Sequence, residues 1–137
     1  MAPTDGGVWK SSNSGRTWDP IFDGQDTGSI GALAVAPSDP DTIYVGSGEG
    51  LRRPDLSTGD GVYVSRDAGA TWTHGGLRDG QQIGRIAVDP RDAKKLFVAV
   101  VGHPFGSNAE RGLYRSLDGG ITYAKVLGDG VDVGAID

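Results

Sequence analysis

A chain of 137 residues with 13 basic and 18 acidic side chains has one domain's worth of length and a formal net charge of −5. The acidic balance argues against a nucleic-acid partner, because a phosphate-binding face needs clustered lysine and arginine, and here only Arg52-Arg53 and Lys94-Lys95 are adjacent. Cysteine is absent, which excludes disulfides and thiolate metal sites, and no apolar run approaches membrane-spanning length, so neither a cofactor, a metal nor a membrane partner is expected.

From the start, Met1-Ala2-Pro3-Thr4 runs directly into Asp5-Gly6-Gly7, so no signal peptide is expected in this chain. Residues 5–23 read as two strands joined by a turn: GVWKS, then SSNSGRTW, then a second short apolar run. Residues 30–76 read as four strands. IGALAVA comes first, a proline turn over Pro37–Thr42 follows, and the second strand ends near Gly46. A long loop to Gly61 precedes GVYVS, and SRDAGATW leads into the fourth strand.

Residues 83–128 repeat this order. IGRIAVD, the turn PRDAKK, the strand KLFVAVV, a loop over Gly102–Gly112, GLYRS, SLDGGITY and a strand around TYAKVL follow in turn. Ile30 aligns with Ile83, Leu33 with Ile86, Val35 with Val88, Pro37 with Pro90 and Val45 with Val98. VGAID, residues 133–137, begins a further copy. The aromatics closing the three turns stand at positions 18, 72 and 123, a period of about fifty residues, which is the length of a four-stranded propeller blade. The sequence therefore predicts an all-β chain of four-stranded antiparallel sheets: two complete blades plus partial ones. A propeller typically closes with at least four blades, so this one is incomplete. Its remaining blades would come from a longer chain or from copies of itself as a homo-oligomer.

The three turns fit one template. Ser11, Asn13, Gly15, Thr17 and Trp18 match Ser65, Asp67, Gly69, Thr71 and Trp72, and these match Ser116, Asp118, Gly120, Thr122 and Tyr123. Asp or Asn in a turn accepts hydrogen bonds from backbone N–H groups a few residues on, and glycine supplies a positive φ. The aromatics are expected to bury their rings between neighbouring sheets. Asn13 matters most here. A copy that has lost the charge keeps the frame, which a hydrogen-bonding role tolerates and acid–base chemistry does not.

This turn resembles the Asp box of the bacterial neuraminidase repeat class. Over nearly its whole length the chain is similar to large bacterial glycosyl-hydrolase-like and sortilin-like Asp-box propellers, on the stretches GSGEGLRRPDLSTGDGVYVSRDAGATW, IGRIAVDP and GHPFGSNAERGLYRSLDGG. The resemblance implies a propeller fold and an extracellular or periplasmic setting for the parent protein. For function it implies a scaffold or a surface for a glycan or peptide. The alternative is part of a xyloglucan-cleaving glycoside hydrolase, since the class spans enzymes and receptors alike.

Because antiparallel strands alternate direction, the acidic turns share one end of each sheet with the proline turns. The longer loops share the other end, where a propeller ligand would sit. Those loops carry the candidate carboxylates Glu49, Asp55, Asp60 and Glu110, and the candidate ligand donors Arg52, Arg53, His103, Asn108 and Arg111. Asp60 also lies in Gly59-Asp60-Gly61, a natural turn. Gly46-Ser47-Gly48-Glu49-Gly50 imitates half a dinucleotide loop, but no helix follows to receive a pyrophosphate. Asp39 with Asp41, and Asp129 with Asp132, match no calcium-loop spacing. Arg85, Arg111 and Arg115 lack the N-terminal arginine motif of a sialidase.

Overall fold

The computed structural model describes residues 1–3, 5–50, 54–128 and 130. Arg52, Arg53, Asp129 and the expected strand at 133–137 lie outside the described residues. Three antiparallel sheets follow one another along the chain. The first pairs β1 (Trp9–Lys10) with β2 (Asp19–Pro20). The second runs in the order β3 (Ile30–Val35), β4 (Ile43–Ser47), β5 (Val62–Ser65) and β6 (Thr73–His74). The third runs β7 (Ile83–Asp89), β8 (Asp92–Val100), β9 (Gly112–Ser116) and β10 (Ala124–Leu127). The chain is all-β and built of blades; among the described residues the only helical turn is a 3₁₀ turn at Arg78–Gly80. No helix among them is long and apolar enough to cross a membrane.

The repeat in sequence becomes a repeat in register. Val45 pairs with Leu33 on one side and Tyr63 on the other, and Val98 pairs with Ile86 and Tyr114. Both first strands carry a register shift at the same place, between Ile30 and Ala32 and between Ile83 and Arg85. The extra residue is a glycine each time, Gly31 or Gly84. At Gly31 a Cβ would collide with the Ile83 carbonyl, so this glycine lets two blades meet backbone to backbone.

Strand β4 is buried along its whole length. Alternation sends Tyr44 into the cluster with Val62, Val64, Ile83, Ile86, Leu96, Val98 and Val100, between the second and third sheets. It sends Val45 the other way, with Tyr63, onto Val8 and Phe22 of the first region. That two-sided burial explains the continuous apolar run of this strand. Strand β8 carries a similar run but is fully covered on one face only, Ala99 being the buried residue of the other. Leu96, Val98 and Val100 are buried, whereas Phe97 is 45 % exposed.

Two local differences from the sequence expectation have physical causes. The turn expected over PRDAKK shortens to Pro90-Arg91, and β8 begins at Asp92, which pairs with Asp89. The Asp89 carboxylate accepts the Arg91 N–H at 2.8 Å and that of Asp92 accepts the Lys94 N–H at 3.0 Å, so side chains close the corner early. Trp18 is 38 % exposed rather than enclosed by two sheets, and its indole N–H turns back to the Gly15 carbonyl of its own turn.

Candidate functional site

Each blade has two chemically different ends. At one end lie the acidic turns. Ser65 donates to Asp67 Oδ1 at 2.8 Å, and its oxygen accepts the Gly69 N–H. The Thr71 N–H donates to the same carboxylate oxygen, and the Thr71 hydroxyl to the other at 2.6 Å. The turn at Ser116, Asp118, Gly120 and Thr122 repeats these bonds. Around Asn13 the frame is the same with one reversal: the amide Nδ2 donates to the Thr17 hydroxyl instead of accepting from it.

The Thr71 hydroxyl and N–H, followed by Ser65, lower the Asp67 pKa to about 2. Thr122 and Ser116 push Asp118 below the ordinary carboxylate range in the same way. Both groups stay ionised, with both carboxylate oxygens already bonded within the turn, which is unsuited to proton transfer. The proline-turn end joins them, because the Ala68 N–H donates to Asp41 and the Gly119 N–H to Lys94.

At the other end lie the long loops. Asp60 sits at the mouth of β5 with its side chain 25 % exposed. Its Oδ1 accepts from Ser47 at 3.1 Å, and its Oδ2 accepts from the Tyr63 hydroxyl at 2.7 Å and from Arg78 at 3.3 Å. The His74 Nδ1 accepts the Gly76 N–H, which leaves Nε2 to donate to the Asp60 carbonyl at 2.8 Å. Burial, reinforced by the Asp60 carboxylate, raises the Tyr63 pKa and keeps that phenol protonated. Asp60 is thus the knot tying β4, β5, β6 and the link to the next blade.

A second knot is Gln82, which is fully buried. Its Oε1 accepts the Glu49 N–H and its Nε2 donates to the Ser57 carbonyl at 3.2 Å. Gln82 therefore holds the loop of one blade from the position just before the first strand of the next. In the third sheet Arg111 does comparable work, donating to the carbonyls of Val101, His103 and Gly106. Asn108 Nδ2 reaches the last two of these as well.

Of the candidates read from sequence, Glu49 is half-buried and accepts from the Ser57 N–H at 3.4 Å, Asp55 is exposed, and Asp60 is the knot above. Glu110 lies beside Arg78, Asp79 and Tyr114, where its carbonyl accepts the Tyr114 hydroxyl. His103 is exposed. Asn108 and Arg111 are directed at their own loop. That inward bracing holds up Phe105, 71 % exposed at the loop tip. Between this tip and the neighbouring blade runs an open groove of about 350 Å³, lined by Leu56, Thr58, Gln81, Gln82, His103 and Phe105 among others.

Sequence reasoning missed Gln82, Ser47, Tyr63, His74 and Phe105. For Gln82 there was a signal: it precedes IGRI as the buried Ser29 precedes IGAL. Phe105, in HPFGS, carried none beyond being an aromatic in a loop. No group of three or more His, Asp or Glu able to hold a metal is present among the described residues.

No family model matches the chain. It is 32% identical to a xyloglucanase of Paenibacillus sp. over 139 residues, covering 91% of this chain and 13% of that protein. It is 32% identical to a xyloglucanase of Hypocrea jecorina, covering 91% of this chain and 16% of that one. The chain thus spans about one-seventh of the length of these relatives. Among solved structures it resembles a GH74 enzyme of Niastella koreensis with a TM-score of 0.65 and 25% identity, covering 90% of this chain and 19% of that one. It also resembles a GH74 xyloglucanase of Xanthomonas campestris with a TM-score of 0.59 and 28% identity, covering 89% and 18%.

Proposed function

We propose that this chain is a section of a propeller of the xyloglucan-cleaving kind, and that it supplies a glycan-binding wall. One observation carries this: the groove between two blades, on the end away from the acidic turns, rimmed by the exposed ring of Phe105. A sugar ring presents an apolar face and a circle of hydroxyls. An exposed aromatic suits the first, and the side-chain amide of Gln81 with the Thr58 hydroxyl suits the second. The names of the relatives support a β-glucan as the ligand class. An extracellular setting for the parent protein follows from where such polymers occur.

Within this proposal the three turns are Asp boxes, and the chain divides into blade parts at 5–23, 30–76, 83–128 and 133–137. The chain's part is binding rather than hydrolysis. Asp60 is spent on Ser47, Tyr63 and Arg78, and a substrate acid or base needs a free oxygen facing the scissile bond. The alternative is that Glu49, Asp55 or Glu110 supplies one catalytic carboxylate with its partner on another blade.

Titration of xyloglucan oligosaccharides into the chain, followed by amide chemical shifts, tests the binding proposal. Shifts should concentrate at 56–58, 81–82 and 103–107 and weaken severalfold in Phe105→Ala, with Phe97→Ala as the control on another face. Shifts confined to the acidic-turn end would sink it. Hydrolysis that disappears with Glu49→Ala, Asp55→Ala or Glu110→Ala would favour the alternative.

A further inference from the structure

Two adjacent glutamines lead into the third sheet, and the fold uses them in opposite ways. Gln82 is fully buried, and both ends of its amide are bonded, to Glu49 and to Ser57. Gln81 is half-buried and lines the groove beside Thr58, His103 and Phe105. Its side-chain amide has no hydrogen-bond partner among the described residues.

The backbone of Gln81 is strained. Its φ is 50° and its ψ −72°. The Gln82 N–H donates back to the Gly80 carbonyl at 2.6 Å and closes a three-residue turn. This is the hand of γ-turn that L side chains resist. Neighbours hold it in place. The Gln81 N–H donates to the Arg78 carbonyl at 3.1 Å, and the Val101 N–H donates to the Gln82 carbonyl at 2.8 Å. The Gln81 carbonyl sits against Gly48 and Gly59, where a Cβ on either would press on it. Glycine would adopt the turn at far lower cost. Of the described residues with positive φ, eleven are glycine and five are not, so a side chain at such a position calls for a reason. Leu77, another of the five, packs its side chain on the core. The Gln81 amide has no bond inside the protein that would explain it.

We propose that Gln81 is the residue with which the groove reads hydroxyls. The strained turn holds its amide toward a pair of adjacent hydroxyls on a sugar ring, the Nε2 donating to one oxygen and Oε1 accepting from the other. This rests on the glycan-binding reading above and gives it a specific recognising group. No Asp, Glu, Lys or Arg lines the groove among the described residues, so uncharged groups do the reading, and a primary amide supplies both donor and acceptor. A fixed backbone lowers the ordering cost of binding. The groove lies between two sheets that each have all four strands within this chain.

The test pairs thermal melts with amide-shift titrations of xyloglucan oligosaccharides into the intact chain. Gln81→Gly relieves the turn and deletes the amide. It should raise the melting temperature by about 3 °C while weakening binding about tenfold. Gln81→Ala keeps the strain and deletes the amide, so binding should weaken as much with no rise in melting temperature. A side chain that merely braced the fold would lower the melting temperature in both variants, and that result overturns the proposal. Binding weakened by Phe105→Ala but unchanged in both Gln81 variants overturns this inference alone. A wild-type chain that shows no shifts with the oligosaccharides overturns the glycan-binding reading, and this inference falls with it.

Discussion

The indole N–H of Trp72 donates to the Ile21 carbonyl at 2.6 Å, tying the acidic turn of the second sheet to the last strand region of the first. The ring of Trp72 also meets that of Phe22, centroids 5.0 Å apart, at an interplanar angle of 82°. The residue that closes a turn in sequence is therefore the residue that joins two sheets in space. Trp72→Phe keeps most of the packing and loses the hydrogen bond, so it should cost about 1 kcal/mol in urea unfolding. Trp72→Ala loses both and should cost about 3 kcal/mol. Equal costs for the two would show that the hydrogen bond dominates.

Two tyrosines packed in one core should respond in opposite directions. The Tyr44 hydroxyl donates to the Ala93 carbonyl at 2.8 Å, whereas the Tyr123 hydroxyl is buried with no hydrogen-bond partner among the described residues. Tyr44→Phe strands an acceptor and should lose about 1 kcal/mol. Tyr123→Phe removes an unpaired polar atom and should be neutral or stabilising. Melting temperatures of the two variants decide it.

In the acidic turn, the Asn13 frame forecasts the behaviour of substitutions at Asp67. Asn13 accepts the Thr17 N–H at 2.9 Å just as Asp67 accepts that of Thr71. Asp67→Asn should therefore retain more of the wild-type melting temperature than Asp67→Ala, which leaves three donors of the turn without their acceptor. Equal losses in the two variants would mean that charge, not hydrogen bonding, holds the turn.

The pH dependence follows from the same bonds. Asp67 is lowered in the folded chain from an ordinary 3.8 to about 2, so its contribution is complete above the unfolded value and is lost as pH falls toward the folded one. Asp118, depressed further, keeps its contribution to lower pH. The melting temperature should drop between about pH 4 and pH 2. The double variant Asp67→Asn, Asp118→Asn should show a shallower drop. Parallel pH curves for wild type and double variant would refute this assignment.

Gln82 links loop order to the groove. Gln82→Leu leaves the Glu49 N–H and the Ser57 carbonyl without their buried partner and should cost about 1–3 kcal/mol. Amide exchange in the loop after Ser47 should quicken more than exchange in β8. Uniform quickening across both would point to global destabilisation instead.

Much of this fold was legible because its signals are local. The serine, the acid or amide, the glycine and the threonine of each turn bond to one another within five residues, so spacing alone identifies them. The strands preceding the turns alternate or run apolar according to burial on one face or two. Less legible were the residues that act across blades. Gln82 bonds Ser57 from 25 positions away, and Arg66 bonds Gly119 from 53. Nothing local marks either partner.

The candidate site was legible only as a set of loops. Asp60 stood out as a carboxylate in a glycine turn, yet its setting depends on Ser47, Tyr63, His74 and Arg78 arriving from three strands and a link. Arg111 and Asn108 read equally well as ligand donors or as loop braces, because donor chemistry says nothing about direction. By itself the sequence determined the repeat, the strand order and the hydrogen-bonded turn, all of which follow from contacts a few residues apart. The tertiary structure alone decided which polar groups are consumed inside the protein and which face the groove, because blade packing brings distant loops together and fixes where their donors point.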